Sequence, residues 1–119
     1  MTKLPSLNKR TAPKSVMPER IVQFGEGNFL RAFVDWIVWN MDAKTNFNGS
    51  VVVVQPIDKG MVSWLNGQDC LYHVNLQGRL NGEPVNQLDR IDVISRAIDP
   101  YSQHYAYQAL AEQPEIRFV

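Results

Sequence analysis

At 119 residues the chain is long enough for one hydrophobic core and short for a complete two-domain enzyme. Twelve Lys and Arg balance twelve Asp and Glu, which argues against the net basic field of a nucleic-acid binder. The single cysteine, Cys70, excludes an internal disulfide and points to a reducing compartment. No run approaches the roughly 18 consecutive apolar residues of a membrane span, so the chain reads as a cytoplasmic protein without a membrane or nucleic-acid partner.

Residues 1–17 carry Lys3, Lys9, Arg10 and Lys14, two prolines and no acid, and lack the apolar run of a secretory signal. They read as a flexible, solvated basic lead-in. "RIVQF", Arg20 to Phe24, reads as a short buried strand ending at Gly25. From Asn28, a candidate N-cap, the period changes. Leu30, Phe33, Val34, Ile37, Val38 and Met41 form a helical stripe expected to face the core, with Phe29, Trp36 and Trp39 off it. After the polar break "KTNFNGS", the valines of "VVVVQP" predict a strand buried on both faces, as in a parallel sheet. Strand, helix and strand make a right-handed βαβ unit. "LYHVNLQ" alternates as a strand, "GRLNGEP" supplies a turn, and Val85 to Ile98 returns as one or two strands. Tyr105 to Ala111 reads as a short helix. "IRFV" begins a strand that the chain leaves incomplete, which predicts a sheet truncated at its C-terminal end.

The chemistry concentrates in "VQFGEGNFLRA", Val22 to Ala32. Gly25 allows a tight exit from the strand, and Gly27 allows a pyrophosphate to approach where a Cβ would clash. The helix that follows turns its free N–H groups and positive dipole end toward the phosphates. Leu30 stands where such a fingerprint usually has its third glycine, so the helix is expected to sit farther from the strand. Asp58, just past the valine strand, is the candidate acceptor for ribose hydroxyls. The competing explanations are an ordinary strand-to-helix turn and a turn aspartate ahead of Gly60. Arg31 is placed either to neutralise phosphate or to pair with Asp35 on an exposed helix face. His73 and His104 show no metal-ligand spacing, and Cys70 has no basic sequence neighbour that would make it a reactive thiolate.

"FGEGNFLRAF", "VVVVQPID", "QDCLY" and "PEIRFV" together resemble the mannitol dehydrogenase family of long-chain polyol dehydrogenases, in one register from about Pro18 to Val119. That family lacks the third glycine and carries an Arg-Ala pair instead, matched by Arg31 and Ala32. Its members usually read Q-D-G-L-Y, so Cys70 departs from the pattern at a turn. The Asn-Phe-Leu after Gly27 fits the family's tagaturonate- and altronate-interconverting branch better than its mannitol or fructuronate branches. The resemblance implies a Rossmann-type α/β domain, a parallel sheet flanked by helices, over residues 18–119, with NAD as cofactor. It implies cofactor contacts from Val22, Gln23, Phe24, Gly25, Glu26, Gly27, Asn28, Phe29, Leu30, Arg31, Ala32 and Asp58. It also implies a sugar-acid substrate and a helical substrate domain, absent here, that carries the catalytic lysine, asparagine and histidine. The chain alone is therefore expected to be inactive and prone to self-association. A flavin or S-adenosylmethionine enzyme and a non-catalytic nucleotide-binding domain remain as rival readings, although Gln23 and Phe24 lack the acid that usually precedes a methyltransferase glycine run.

Overall fold

The computed structural model describes residues 4–119. Three parallel strands form the main sheet: β1 (Glu19–Phe24), β2 (Ser50–Val54) and β5 (Ile94–Ile98), with β2 in the middle. The valines of β2 are buried on both faces. Val51 and Val53 enter a core with Val38, Leu65 and Ile94, while Val52 and Val54 enter a smaller one with Val22, Ile98 and Leu110. A middle strand with both faces covered has no position for a polar side chain, which is why the run is unbroken.

Ile21 of β1 also forms a parallel bridge with Phe118. The N–H of Val22 donates to the carbonyl of Phe118, whereas that of Gly25 donates to Val54. Polar groups of successive residues in an extended strand point to opposite edges, and Val22 and Gly25 are three residues apart, so Phe118 lies on the side of β1 away from β2. The spatial order is therefore β5, β2, β1 and then the bridging strand end. The chain has progressed outward through three strands and returned to the far side of the first. Such a reversal of direction opens a crevice beyond the carboxyl end of β1.

Between β1 and β2 run two short helices, α1 (Asn28–Ala32) and α2 (Val34–Lys44), joined at Phe33. Their orientation overturns the predicted stripe. Among its members Val38 is buried, while Phe33, Ile37 and Met41 are exposed. The residues turned inward are Arg31, Asp35 and Val38, with Trp36 and Trp39 packing against the larger core. Apolar periodicity identified a helix correctly but pointed it the wrong way, because the buried charged groups have polar partners inside.

The connection from β2 to β5 contains α3 (Val62–Gly67) and an antiparallel hairpin, β3 (Tyr72–Leu80) and β4 (Glu83–Ile91). Asn81 and Gly82, with φ of 54° and 82°, make its two-residue turn, the geometry that Asn-Gly favours. Tyr72, Val74, Asp89 and Ile91 bury the root of the hairpin, and its tip is exposed. Trp36 Nε1 donates to Asp89 Oδ2 at 3.0 Å, which fastens the root to α2. A final helix, α4 (His104–Ala109), covers the opposite face of the sheet and runs into a 3-10 turn at Leu110–Glu112.

Met1–Lys3 lie outside the described residues. Most of residues 4–17 are exposed, and Lys9, Lys14 and Ser15 fasten the segment to the loops at the N-terminal end of the sheet. Lys14 Nζ donates to the carbonyl of Asp69 at 2.6 Å, and Ser15 N–H to Asp92 Oδ2 at 3.0 Å. Cys70 has φ of 59°, in the left-handed region, at the position where the family resemblance places a glycine. Burial raises its thiol pKa to about 11, so the thiol is inert. Among the described residues, no helix is long and apolar enough to cross a membrane.

Candidate dinucleotide site

The glycine turn leaves the carboxyl end of β1 at the reversal point of the sheet. Gly25 has φ of 131°, and a Cβ there would come 2.8 Å from Leu30 Cδ1. Leu30 thus packs over the first glycine, which is how the turn closes without a glycine at position 30. At Gly27 the constraint is of another kind. Its φ of −71° suits any residue, yet an added Cβ would meet no atom of the chain within 4 Å. Gly27 leaves its outward side open.

Gly27, not Asn28, is the N-cap of α1, which corrects the predicted cap. The first helical bond runs from Arg31 N–H to the Gly27 carbonyl, so the N–H groups of Asn28, Phe29 and Leu30 have no acceptor within the helix. No side chain caps them. The Asn28 side chain instead accepts from Arg31 Nη2. Phe29 is exposed, stacked on Phe33 with ring centroids 5.3 Å apart, and Ala32 is exposed beside it. Phe24 is half exposed at the mouth of the turn, while Val22 belongs to the smaller apolar core.

Beneath the turn lies a polar interior that spacing did not reveal. Gln23 Nε2 donates both to the Gly25 carbonyl and to Asp35 Oδ2, each at 3.1 Å. Asp35 is fully buried, and desolvation raises its pKa to about 7 against the opposing effects of the Gln23 hydrogen bond and the Arg31 charge. Asp35 and Arg31 form no ion pair, so the exposed helix pair considered from the sequence is replaced by two separate buried groups. Arg31 Nε donates to the Glu26 carbonyl at 3.0 Å, and the guanidinium lies 5.2 Å from the Trp64 ring centre and 5.3 Å from that of Tyr72. The Tyr72 hydroxyl donates to the Arg31 carbonyl at 2.7 Å, and burial raises its pKa. Arg31 therefore braces the turn from behind, held by α3 and the hairpin root. The one sequence signal for this interior was an Asp one helical turn before Val38, on the same face.

Asp58 is exposed, in the loop that joins β2 to α3. The structure brings that loop against the glycine turn through Glu26, whose Oε1 accepts from Met61 N–H at 3.3 Å. Gln55 supports the loop from within, its Nε2 donating to the Ile57 carbonyl and its Oε1 accepting from Val62 N–H. His73 lies on the exposed face of the hairpin root, at a cleft of about 220 Å³ shared with Asn28, Arg31 and Ala32. A larger cleft of about 430 Å³ opens at the opposite end of the sheet, beside Lys14, Cys70 and Ser95, far from this chemistry.

An open glycine at a helix start, on the reversal point of a parallel sheet, defines a Rossmann-type dinucleotide-binding domain. The chain belongs to the mannitol dehydrogenase family: the model of the mannitol dehydrogenase Rossmann domain matches residues 19–116. It is 70% identical over 114 residues to altronate oxidoreductase of Phocaeicola vulgatus and 71% identical over 114 residues to that of Bacteroides thetaiotaomicron. In each case the match covers 96% of this chain and 24% of the relative, so the chain spans about a quarter of these curated proteins. Altronate oxidoreductase of Bacillus subtilis is 50% identical over 102 residues, covering 86% of this chain and 21% of that protein. The fold is also that of Pseudomonas fluorescens mannitol 2-dehydrogenase, solved as a ternary complex with NAD and D-mannitol. That likeness has a TM-score of 0.76 at 22% identity over 97% of this chain and 26% of the other.

Proposed function

We propose that this chain is the NAD-binding portion of a cytoplasmic oxidoreductase that interconverts D-tagaturonate and D-altronate in hexuronate catabolism. The observation that carries the cofactor is the open side of Gly27, bordered by the free N–H groups of α1 and by the loop of Asp58. The pyrophosphate would rest on Gly27 and the helix start, and the adenosine ribose on Asp58. Gly25, Gln23 and Arg31 shape the turn, and Leu30 closes it. Asn28, Phe29 and Ala32 border the site, while Val22 and Phe24 support it. The choice of sugar acid rests on the names of the relatives, which share about seven residues in ten with this chain.

NAD supplies a hydride acceptor, and this chain's part is to bind and orient it. Gly27→Val tests the reading. A valine is sterically admissible in the free fold, so thermal stability is expected to change little. NAD affinity in the full-length enzyme is expected to fall by two orders of magnitude or so, about the effect of losing one or two charge-assisted hydrogen bonds. Calorimetry that finds equal affinity would overturn the proposal, as would the absence of altronate-dependent NADH formation by the wild-type enzyme.

A further inference from the structure

Glu26, the residue between the two glycines, is 8% exposed and reaches from the turn under the loop that carries Asp58. Besides accepting from Met61 N–H, its Oε1 lies so close over Gly60 that a Cβ there would collide with it. Its Oε2 is buried with no hydrogen-bond partner. Among the described residues no cation compensates it: Arg31 donates to the Glu26 backbone carbonyl, and the one ion pair is Arg96–Glu19. A carboxylate that water does not screen and no cation pairs acts on neighbouring groups more strongly than an exposed one.

We propose that Glu26 is a second determinant, with Asp58, of the choice between NAD and its 2′-phosphorylated form. This rests on the reading of the turn as a dinucleotide site. The two cofactors differ only at the adenosine ribose, where NAD presents a neutral hydroxyl and NADP a dianionic phosphate. A group seated on the 56–61 loop lies over the buried Glu26 carboxylate, which repels the phosphate and tolerates the hydroxyl. Lys59, exposed beside Asp58, works in the opposite sense, so an exposed aspartate by itself is a weak discriminator. Glu26 adds negative charge from below, where Lys59 does not pair with it.

The test is the ratio of NADP to NAD dissociation constants, measured by calorimetry on the full-length enzyme. Glu26→Gln keeps the shape and the acceptor for Met61 N–H but removes the charge. It is expected to shift the ratio toward NADP by about tenfold or more, with a melting temperature no lower than that of the wild type. A folded Glu26→Gln with the wild-type ratio overturns the proposal and leaves the dinucleotide reading intact. The exposed Asp58→Asn provides an independent arm that does not disturb the interior. It is expected to retain a preference for NAD of at least about tenfold, and equal binding of the two cofactors by Asp58→Asn overturns the role of Glu26. A wild-type enzyme that binds neither cofactor overturns both readings.

Discussion

Two kinds of interior meet at the carboxyl end of β1. Around Val51, Val53, Leu65 and Ile94 the chain is dry and apolar, held by contact area alone. A few residues away, Gln23, Arg31, Asp35 and Tyr72 are buried through directed hydrogen bonds, with Asp35 Oδ1 and Gln23 Oε1 left unpartnered. The first interior holds strands together and is indifferent to pH. The second is costlier, yet it supports the glycine turn from below. A loop that must leave Gly27 open to a ligand cannot be packed from outside. It has to be braced from within, and only hydrogen bonds to its carbonyls do that.

Removing apolar volume probes the first interior and carries the largest expected effect on stability. Val53→Ala, at a position with no exposure, is expected to cost about 2–3 kcal/mol. The loss in chemical denaturation should be the same at pH 5 and pH 8. A pH-dependent loss would show that the two interiors are not separate.

Asp35 probes the second. Its folded pKa of about 7 lies above the ordinary aspartate value of 3.8, so the folded state holds a proton that the unfolded state has lost across that range. Stability from this group therefore falls as pH rises from about 4 to 7 and is flat on either side. Asp35→Asn keeps an acceptor for Gln23 and adds a donor, so it is expected to stabilise the domain at pH 8 and to change it little at pH 4. Urea titrations at the two pH values check the sign. A variant less stable than wild type at pH 8 would mean that the carboxylate is satisfied in its charged form.

The smallest effect is expected at Cys70, where backbone and packing oppose each other. Cys70→Gly relieves a left-handed φ of 59° and empties a site in the larger core. Each contribution is about 1 kcal/mol, so the net change in stability should stay within about 1 kcal/mol. A melting temperature many degrees lower would mean that packing of the buried thiol outweighs the backbone strain of the turn.

How legible each part was follows from the kind of interior it belongs to. The valine run of β2 announced a doubly covered strand because an apolar core admits nothing polar. The glycine turn was legible because a φ of 131° at Gly25 and the open side of Gly27 are demands that glycine meets. "GRLNGEP" located the hairpin turn, which the structure narrows to Asn81 and Gly82. The inward face of α1 and α2 was not legible. Counting apolar residues favoured Phe33, Ile37 and Met41, and only the positions of Gln23, Tyr72 and Trp64 allow Arg31 and Asp35 to lie beneath them.

By itself the sequence determined the strand–turn–helix–strand unit, the two glycines and the acidic residue after the second strand. Each of these follows from local rules of backbone freedom and hydrophobic period. Tertiary structure alone decided which side of the helix is buried, that Glu26 reaches the Asp58 loop, and that Phe118 returns to the far edge of β1. These depend on groups 35, 41 and 97 positions apart along the chain, as in Glu26–Met61, Arg31–Tyr72 and Ile21–Phe118. A buried polar group is admissible only when its partner arrives from elsewhere, and no local pattern records where that partner is.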